Sequence, residues 1–178
     1  MTKLYHIAHL KASDKNKVET HFNSLDPESL GMRFGYPISA SGIKSYLKTI
    51  DFSTNHLIGV VNEDGLIVGL LHMSVYSAGQ YSGRFTAEAG FSILQKYQGL
   101  GIGQVLMSEA RQHCSNYGIS EIIVHFAPKN TRMKKLAQKN RAVIQTDLDQ
   151  STGSIETAHF SAHQFDSKPF PECANYLR

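Results

Sequence analysis

Cysteine is scarce in this chain. Its 178 residues hold two, Cys114 and Cys173, and neither has a second Cys or a His at metal-ligand spacing. That spacing argues against a disulfide framework and against a bound metal, and free thiols in a reducing compartment are expected. No apolar run reaches about 18 residues, so no membrane span is expected. The first residues, Met1-Thr2-Lys3-Leu4, lack the charged region and the apolar core of a secretory leader. A cytoplasmic protein without a membrane partner is the expectation. Charge of one sign is also in short supply, with a formal net charge of +3. So small a surplus does not call for nucleic acid as a partner. Internal repeats and linker-like stretches are absent too. With 41% hydrophobic residues, the length suits one domain with a real core. Size and charge leave open whether the chain works alone or as a homodimer.

What the chain does have is an unusual stretch near its middle, Gln98-Gly99-Leu100-Gly101-Ile102-Gly103-Gln104. A β-like run over 87–94 precedes it. An amphipathic helical pattern over 102–117 follows. Three glycines at alternate positions leave backbone N–H groups unshielded by a Cβ. The first turn of the next helix adds its own N–H groups and the positive end of the dipole. Together these form a cradle for phosphate.

The remaining pattern reads as alternating strands and helices. A strand over 4–10 leads to a helix capped by Ser13 or Asp14, with Val18, Phe22 and Leu25 on one face. A turn or short helical piece begins at 25–30. Gly35-Tyr36-Pro37 is a breaker, and Ser39 or Ser41 opens a helix with Ile43, Tyr46, Leu47 and Ile50 on one side. Two strands, 56–61 and 66–76, flank Asn62-Glu63-Asp64-Gly65, a hairpin turn. A strand over 84–94 runs into the glycine loop. Beyond the long helix, Gly118 closes it and a strand spans 121–126. Asn130 or Thr131 caps a basic helix over 132–139. Strands at 142–148 and 154–163 are joined by a turn at 149–153, and the tail is 164–178. The fold class is α+β, a mixed, mostly antiparallel sheet flanked by helices, in one domain over 1–163. The strand–helix–strand unit around the loop requires a parallel pair.

Two common phosphate loops do not fit. A P-loop needs Gly-Lys-Ser/Thr, and Gly103 is followed by Gln104. A dinucleotide fingerprint needs a third glycine where Gln104 stands. A third pattern, Gln-x-x-Gly-x-Gly, does fit. It resembles the coenzyme A pyrophosphate loop of the GNAT superfamily of N-acetyltransferases. The elements around it follow that family's order. Ala87-Glu88-Ala89-Gly90-Phe91-Ser92-Ile93 with Tyr97-Gln98-Gly99 resembles the catalytic strand and loop of the bacterial protein-acetyltransferase branch. So do Ser29-Leu30-Gly31-Met32-Arg33-Phe34 and the spacing of Asn130, Met133, Leu136 and Ala137.

The resemblance implies an acetyl-CoA-dependent N-acetyltransferase that moves the acetyl group directly to a primary amine, on a protein lysine or a small molecule. It implies Glu88 as general base. It places cofactor contacts at Gln98, Gly99, Leu100, Gly101, Ile102, Gly103 and Gln104. Oxyanion donors are expected from Phe91, Ile93 or Leu94, and pantetheine contacts at Asn130 and Met133. Arg33 is a weaker candidate for substrate contact, set against an ordinary surface or salt-bridged arginine. Lys129, Arg132, Lys134, Lys135, Lys139 and Arg141 form a cluster that suits an anionic cofactor as well as a solvated helix face. Strand histidines His72, His125 and His159 and helix residue Cys114 are expected to be structural. Two departures stand out. Many relatives place a tyrosine, the acid for the leaving thiolate, where this chain has Ala137. The usual Gly-Phe after that helix is replaced within Lys139-Asn140-Arg141. These departures keep a second reading in view, a catalytically silent acyl-CoA-binding or sensing module.

Overall fold

A computed structural model describes residues 4–77 and 85–157. The expected tail and His159 lie outside the described residues. Seven strands form one sheet in the order β1-β2-β3-β4-β5-β7-β6. They are β1 (Tyr5–Leu10), β2 (Asn55–Asn62), β3 (Ile67–Ser77), β4 (Phe85–Ile93), β5 (Ile119–Phe126), β6 (Val143–Thr146) and β7 (Ser151–Glu156). The helices are α1 (Lys15–Asn23), α2 (Pro27–Phe34), α3 (Ala40–Thr49), α4 (Ile102–Asn116) and α5 (Thr131–Lys139). Every strand pair is antiparallel except β4 with β5. A mixed, mostly antiparallel sheet is therefore what the chain forms.

The two faces of the sheet are told apart by its glycines. A Cβ on Gly90 of β4 would meet the Arg33 guanidinium of α2, so even-numbered positions of β4 face α2. A Cβ on Gly69 of β3 would lie 2.5 Å from Ile102 and 3.4 Å from Leu106, so that face belongs to α4. The core continues on both faces. Val18 and Phe22 of α1 and Ile43 and Leu47 of α3 are buried on one, and Leu106, Met107 and Ala110 of α4 on the other.

Element ends follow local chemistry. Asp26 caps α2 by accepting from the Ser29 N–H at 2.9 Å, Pro27 opens the first turn, and Gly35 ends it at φ +78°. The expected turn at 149–153 is a correction. The turn is shorter, closed by the Asp147 N–H on the Gln150 carbonyl, and Gly153 lies inside β7. Glycine is needed there because a Cβ would come 2.9 Å from Val124 of β5.

The missing Gly-Phe after α5 has a structural replacement. Arg141 takes the left-handed turn itself, at φ +61°. Buried Asn140 and Gln104 exchange two amide hydrogen bonds of 3.0 and 3.1 Å, tying the end of α5 to the start of α4. A side chain in the left-handed region costs roughly 1–2 kcal/mol. The Arg141 charge also opposes that of Arg111. Arg141→Gly is expected to raise stability by up to about 1 kcal/mol after the glycine's extra unfolded-state freedom is subtracted. Urea denaturation showing a loss instead would mean that Arg141 makes a stabilising contact.

Candidate functional site

The site begins where β4 and β5 separate. Their pairing runs from Phe85–Ile119 to Glu88–Ile123 and stops. β4 continues to Ile93 with one edge open. Which groups face that opening follows from alternation. The Leu94 N–H donates to the Val68 carbonyl of β3 at 2.9 Å. Ser92 and Gly90 share that orientation, whereas Phe91 and Ile93 turn their N–H and C=O groups toward the gap. The Ile93 carbonyl confirms it by accepting from the Gln98 side chain at 3.0 Å. Leu94 is thereby corrected as a donor, since its N–H is committed to the sheet.

A cleft of about 530 Å³ fills the opening. Its walls come from α2, the end of β4, the glycine loop and the start of α5. Of the residues expected to hold a cofactor, Phe91, Ile93, Gln98, Gly99, Gly103, Asn130 and Met133 line it. Arg33 lines it from the α2 side, and Lys129, Arg132 and Lys135 stand at the opposite wall. Leu100, Gly101, Ile102 and Gln104 are not in the wall. Ile102 is buried against Gly69. Gln104 is corrected as a ligand, because its side chain is engaged with Asn140 and its N–H with the Gly101 carbonyl. Its part is to hold the loop. Gly99 and Gly101 take φ +79° and +84°, which carries the chain from strand to helix.

The remaining contacts test whether an acyl-CoA fits here. Gln98 Nε2 bridges the Ile93 carbonyl and Ser29 Oγ of α2, at 3.0 and 3.2 Å. Its Oε1 is buried in the cleft wall without a hydrogen-bond partner. That acceptor suits an amide N–H such as pantetheine carries. Asn130 caps α5 through Oδ1, which accepts from the Met133 N–H at 3.0 Å. Exposed cations, a helix N-terminus and an orphaned acceptor together suit a phosphate-bearing, amide-containing ligand. Gly103 has room on the protein side, since a Cβ would sit 3.4 Å from Leu136 and 3.5 Å from Ile93. Gly103→Val is expected to fold and to bind CoA at least about tenfold more weakly by calorimetry. Unchanged affinity would remove the loop from the binding site.

Glu88 lies beyond this cleft. It is exposed, at the last paired position before the strands part, on the face that Gly90 and Ser92 share. Two buried histidines on that face had not been singled out as a unit. His21 of α1 places Nδ1 2.8 Å from the Ile67 carbonyl, so Nδ1 carries the hydrogen. Its Nε2 then accepts from Ser92 Oγ, also at 2.8 Å. Burial pushes the His21 pKa down to about 4, against the pull of the Ile67 carbonyl. His72 of β3 belongs to a longer chain. Arg33 Nη2 donates to Tyr46 Oη at 3.0 Å, and Tyr46 contacts His72 Nδ1. His72 Nε2 reaches Asn55 Oδ1 at 2.6 Å, where Ser74 Oγ also donates. The Asn55 amide group donates to the Asp51 carbonyl and Thr54 Oγ1, which fixes its oxygen toward His72. Arginine can only donate and the Asn55 oxygen can only accept, so Tyr46 accepts from Arg33 and His72 Nε2 donates to Asn55; a neutral His72 then accepts at Nδ1 from Tyr46. Burial lowers His72 to about 4, with the Arg33 charge adding to it, and raises the Tyr46 phenol. Both groups stay neutral. Helical spacing did offer a signal for His21, which shares the apolar stripe of Val18, Phe22 and Leu25. The Arg33–Tyr46–His72 chain joins three separate elements and had no local signature.

His125 is exposed and shares a 3.1 Å bond with Thr152 Oγ1. Cys114 is fully buried, and burial pushes its thiol up to about 12, which makes it a core residue rather than a nucleophile. Among the described residues no cluster of three His, Cys, Asp or Glu side chains converges on a metal position, and no helix is long and apolar enough to cross a membrane.

A parallel pair that parts over a glycine loop, beside a cleft, frames the candidate site. The chain belongs to the acetyltransferase (GNAT) family, whose model matches residues 26–142. It is an acetyltransferase enzyme by that membership. Solved structures share the fold. The GNAT domain of S. lividans PAT superposes with a TM-score of 0.72 at 16% identity, covering 84% of this chain and 89% of its own. A phosphinothricin acetyltransferase from Sinorhizobium meliloti, solved with AcCoA, gives 0.67 at 18% identity over 97% of both chains. The spermidine N-acetyltransferase of Vibrio cholerae, solved with CoA and spermine, gives 0.66 at 18% identity, covering 86% of this chain and 95% of its own. No curated protein sequence matches.

Proposed function

We propose that the protein transfers an acetyl group from acetyl-CoA directly to a primary amine. The observation that carries this is the open edge of β4 beyond Glu88, with Phe91 and Ile93 N–H groups facing a cleft that ends on the glycine loop. Two neighbours of this fold were solved with CoA or AcCoA. The pyrophosphate is held by loop N–H groups and the start of α4, with Lys129, Arg132 and Lys135 nearby. The thioester carbonyl lies against the Phe91 or Ile93 N–H, which stabilises the oxyanion as charge develops.

The acceptor arrives as an ammonium, because a lysine-type amine has a pKa of about 10.4. Glu88 removes one proton, directly or through a water. The amine nitrogen attacks the carbonyl carbon, and the C–S bond breaks as the intermediate collapses. The intermediate's own ammonium returns a proton to the sulfur, so no side chain is needed where Ala137 stands. Ala137 is fully buried, beneath Gly153. Protein lysine and small amines are both acceptors of the right chemistry. A buried, unbridged Cys114 suits the cytoplasm as the setting.

The test is thiol release from acetyl-CoA with a panel of amines. Turnover with any member, absent without amine, supports the reading. Tight acetyl-CoA binding with no thiol release from any amine would point to the silent sensing module instead.

A further inference from the structure

We propose that the acceptor is an amino-acid-like zwitterion, whose carboxylate is held by Arg33 beside the amine that reacts. This rests on the acetyl-transfer reading and specifies its substrate class. Arg33 is built into the sheet. A Cβ on Gly90 would lie 2.5 Å from its Cζ and 2.6 Å from Nη2, so the guanidinium occupies the space that glycine leaves. The Phe34 and Tyr46 rings lie 5.1 and 5.8 Å from Cζ. Tyr46 takes one donor at 3.0 Å and is itself fixed by His72 and Asn55. A flexible side chain is thereby held in one place, which a surface arginine would not need.

That chain orients Arg33 without neutralising it. Burial keeps Tyr46 and His72 neutral, and the Asn55 amide carries no charge. The ion pairs among the described residues are Lys17–Asp14 and Lys44–Glu19, and neither involves Arg33. A half-buried guanidinium therefore faces the cleft with donors to offer and no carboxylate from the described chain. Guanidinium donors match a carboxylate in geometry as well as charge. Glu88 stands on the same face of β4, two residues from Gly90, a separation of about 6.6 Å. The strand thus sets an anion for an ammonium next to a cation for a carboxylate. A polyamine would bring a second positive charge against Arg33. A lysine side chain in a protein has no carboxylate near its amine.

The experiment compares amino acids, their carboxamides, spermidine and a capped lysine peptide in the thiol-release assay. Amino acids should exceed their carboxamides by about ten- to a hundredfold in kcat/KM, mostly through KM, the range expected for a lost charged hydrogen-bonded contact. Arg33→Met should abolish that preference. Gly90→Ala, which keeps the charge but displaces the guanidinium, should reduce it. Turnover of spermidine or peptide with acids and carboxamides equal would overturn this inference and leave acetyl transfer standing. Thermal shift with 3-phenylpropionate, a carboxylate without an amine, gives a readout that needs no turnover. Stabilisation of the wild type but not of Arg33→Met supports the site, and no stabilisation of either overturns it.

Discussion

Glu88→Gln is expected to lower kcat/KM by about 10²- to 10⁴-fold at neutral pH, the range for a removed general base. The amide keeps the shape and polarity of the carboxylate, and the position is exposed at the end of the paired part of β4. A folding defect is therefore not expected. The strand geometry sets how the base works. Glu88 and Phe91 are three positions apart, about 10 Å along the strand. On the proposed reading the acceptor amine lies between the carboxylate and a carbonyl held at the Phe91 N–H, with a water completing the contact. The deficit should also shrink as pH rises. Above neutrality the fraction of free amine grows about tenfold per pH unit until the acceptor's own pKa, and free amine needs no base. A pH–rate profile for Glu88→Gln that runs parallel to the wild type would assign proton removal elsewhere. Full activity across the range would end the assignment altogether.

The parts legible in the sequence are those fixed by local pattern. The run into the glycine loop, the long helix behind it and the Asp-Gly hairpin rest on periodicity and turn chemistry. The open edge of β4 and the Phe91 and Ile93 donors came through the family resemblance. Their orientation could be derived only once Leu94 was seen to bond Val68. Glycine was the less dependable sign. Gly153 reads as a turn residue, yet it belongs to a strand because Val124 leaves no room for a Cβ. The loop glutamines divide in a similar way. Gln98 reaches the cleft, whereas Gln104 turns inward to Asn140, 36 positions along the chain. Arg33 is half-buried at the cleft wall and has no ion pair among the described residues. Its setting depends on Tyr46, His72 and Gly90 meeting across three elements, and sequence spacing carries no trace of that.

Acid should destabilise the protein between about pH 6.5 and 4, a window set by the buried His21 and His72, with the half-buried His113, also pushed down to about 4 by burial, adding a smaller share. In the unfolded chain each titrates near 6.5, while in the folded protein His21 and His72 hold no second proton until about pH 4. Between those values the unfolded state binds more protons, so stability is complete above the unfolded pKa and falls as pH falls. At pH 4.5 His21 and His72 should each contribute a loss of about 2–3 kcal/mol, at 1.36 kcal/mol per pH unit. Together that is a large share of the 5–15 kcal/mol typical of a domain. The carboxylates act elsewhere. Asp26 and Asp14 are held below the ordinary value of 3.8 by hydrogen bonds, chiefly from Ser29 and from the Lys11 backbone respectively, so their contribution is lost only at lower pH. Urea unfolding at pH 7.5, 6.5, 5.5 and 4.5 measures the slope directly. His72→Gln, whose amide can still meet Tyr46 and Asn55, should remove about one proton's worth of it. A wild-type stability that is flat from pH 6.5 to 4.5 would mean the histidines are protonated in the fold. Arg33 would then face a cation across Tyr46, and the neutral chain that positions its guanidinium would not exist.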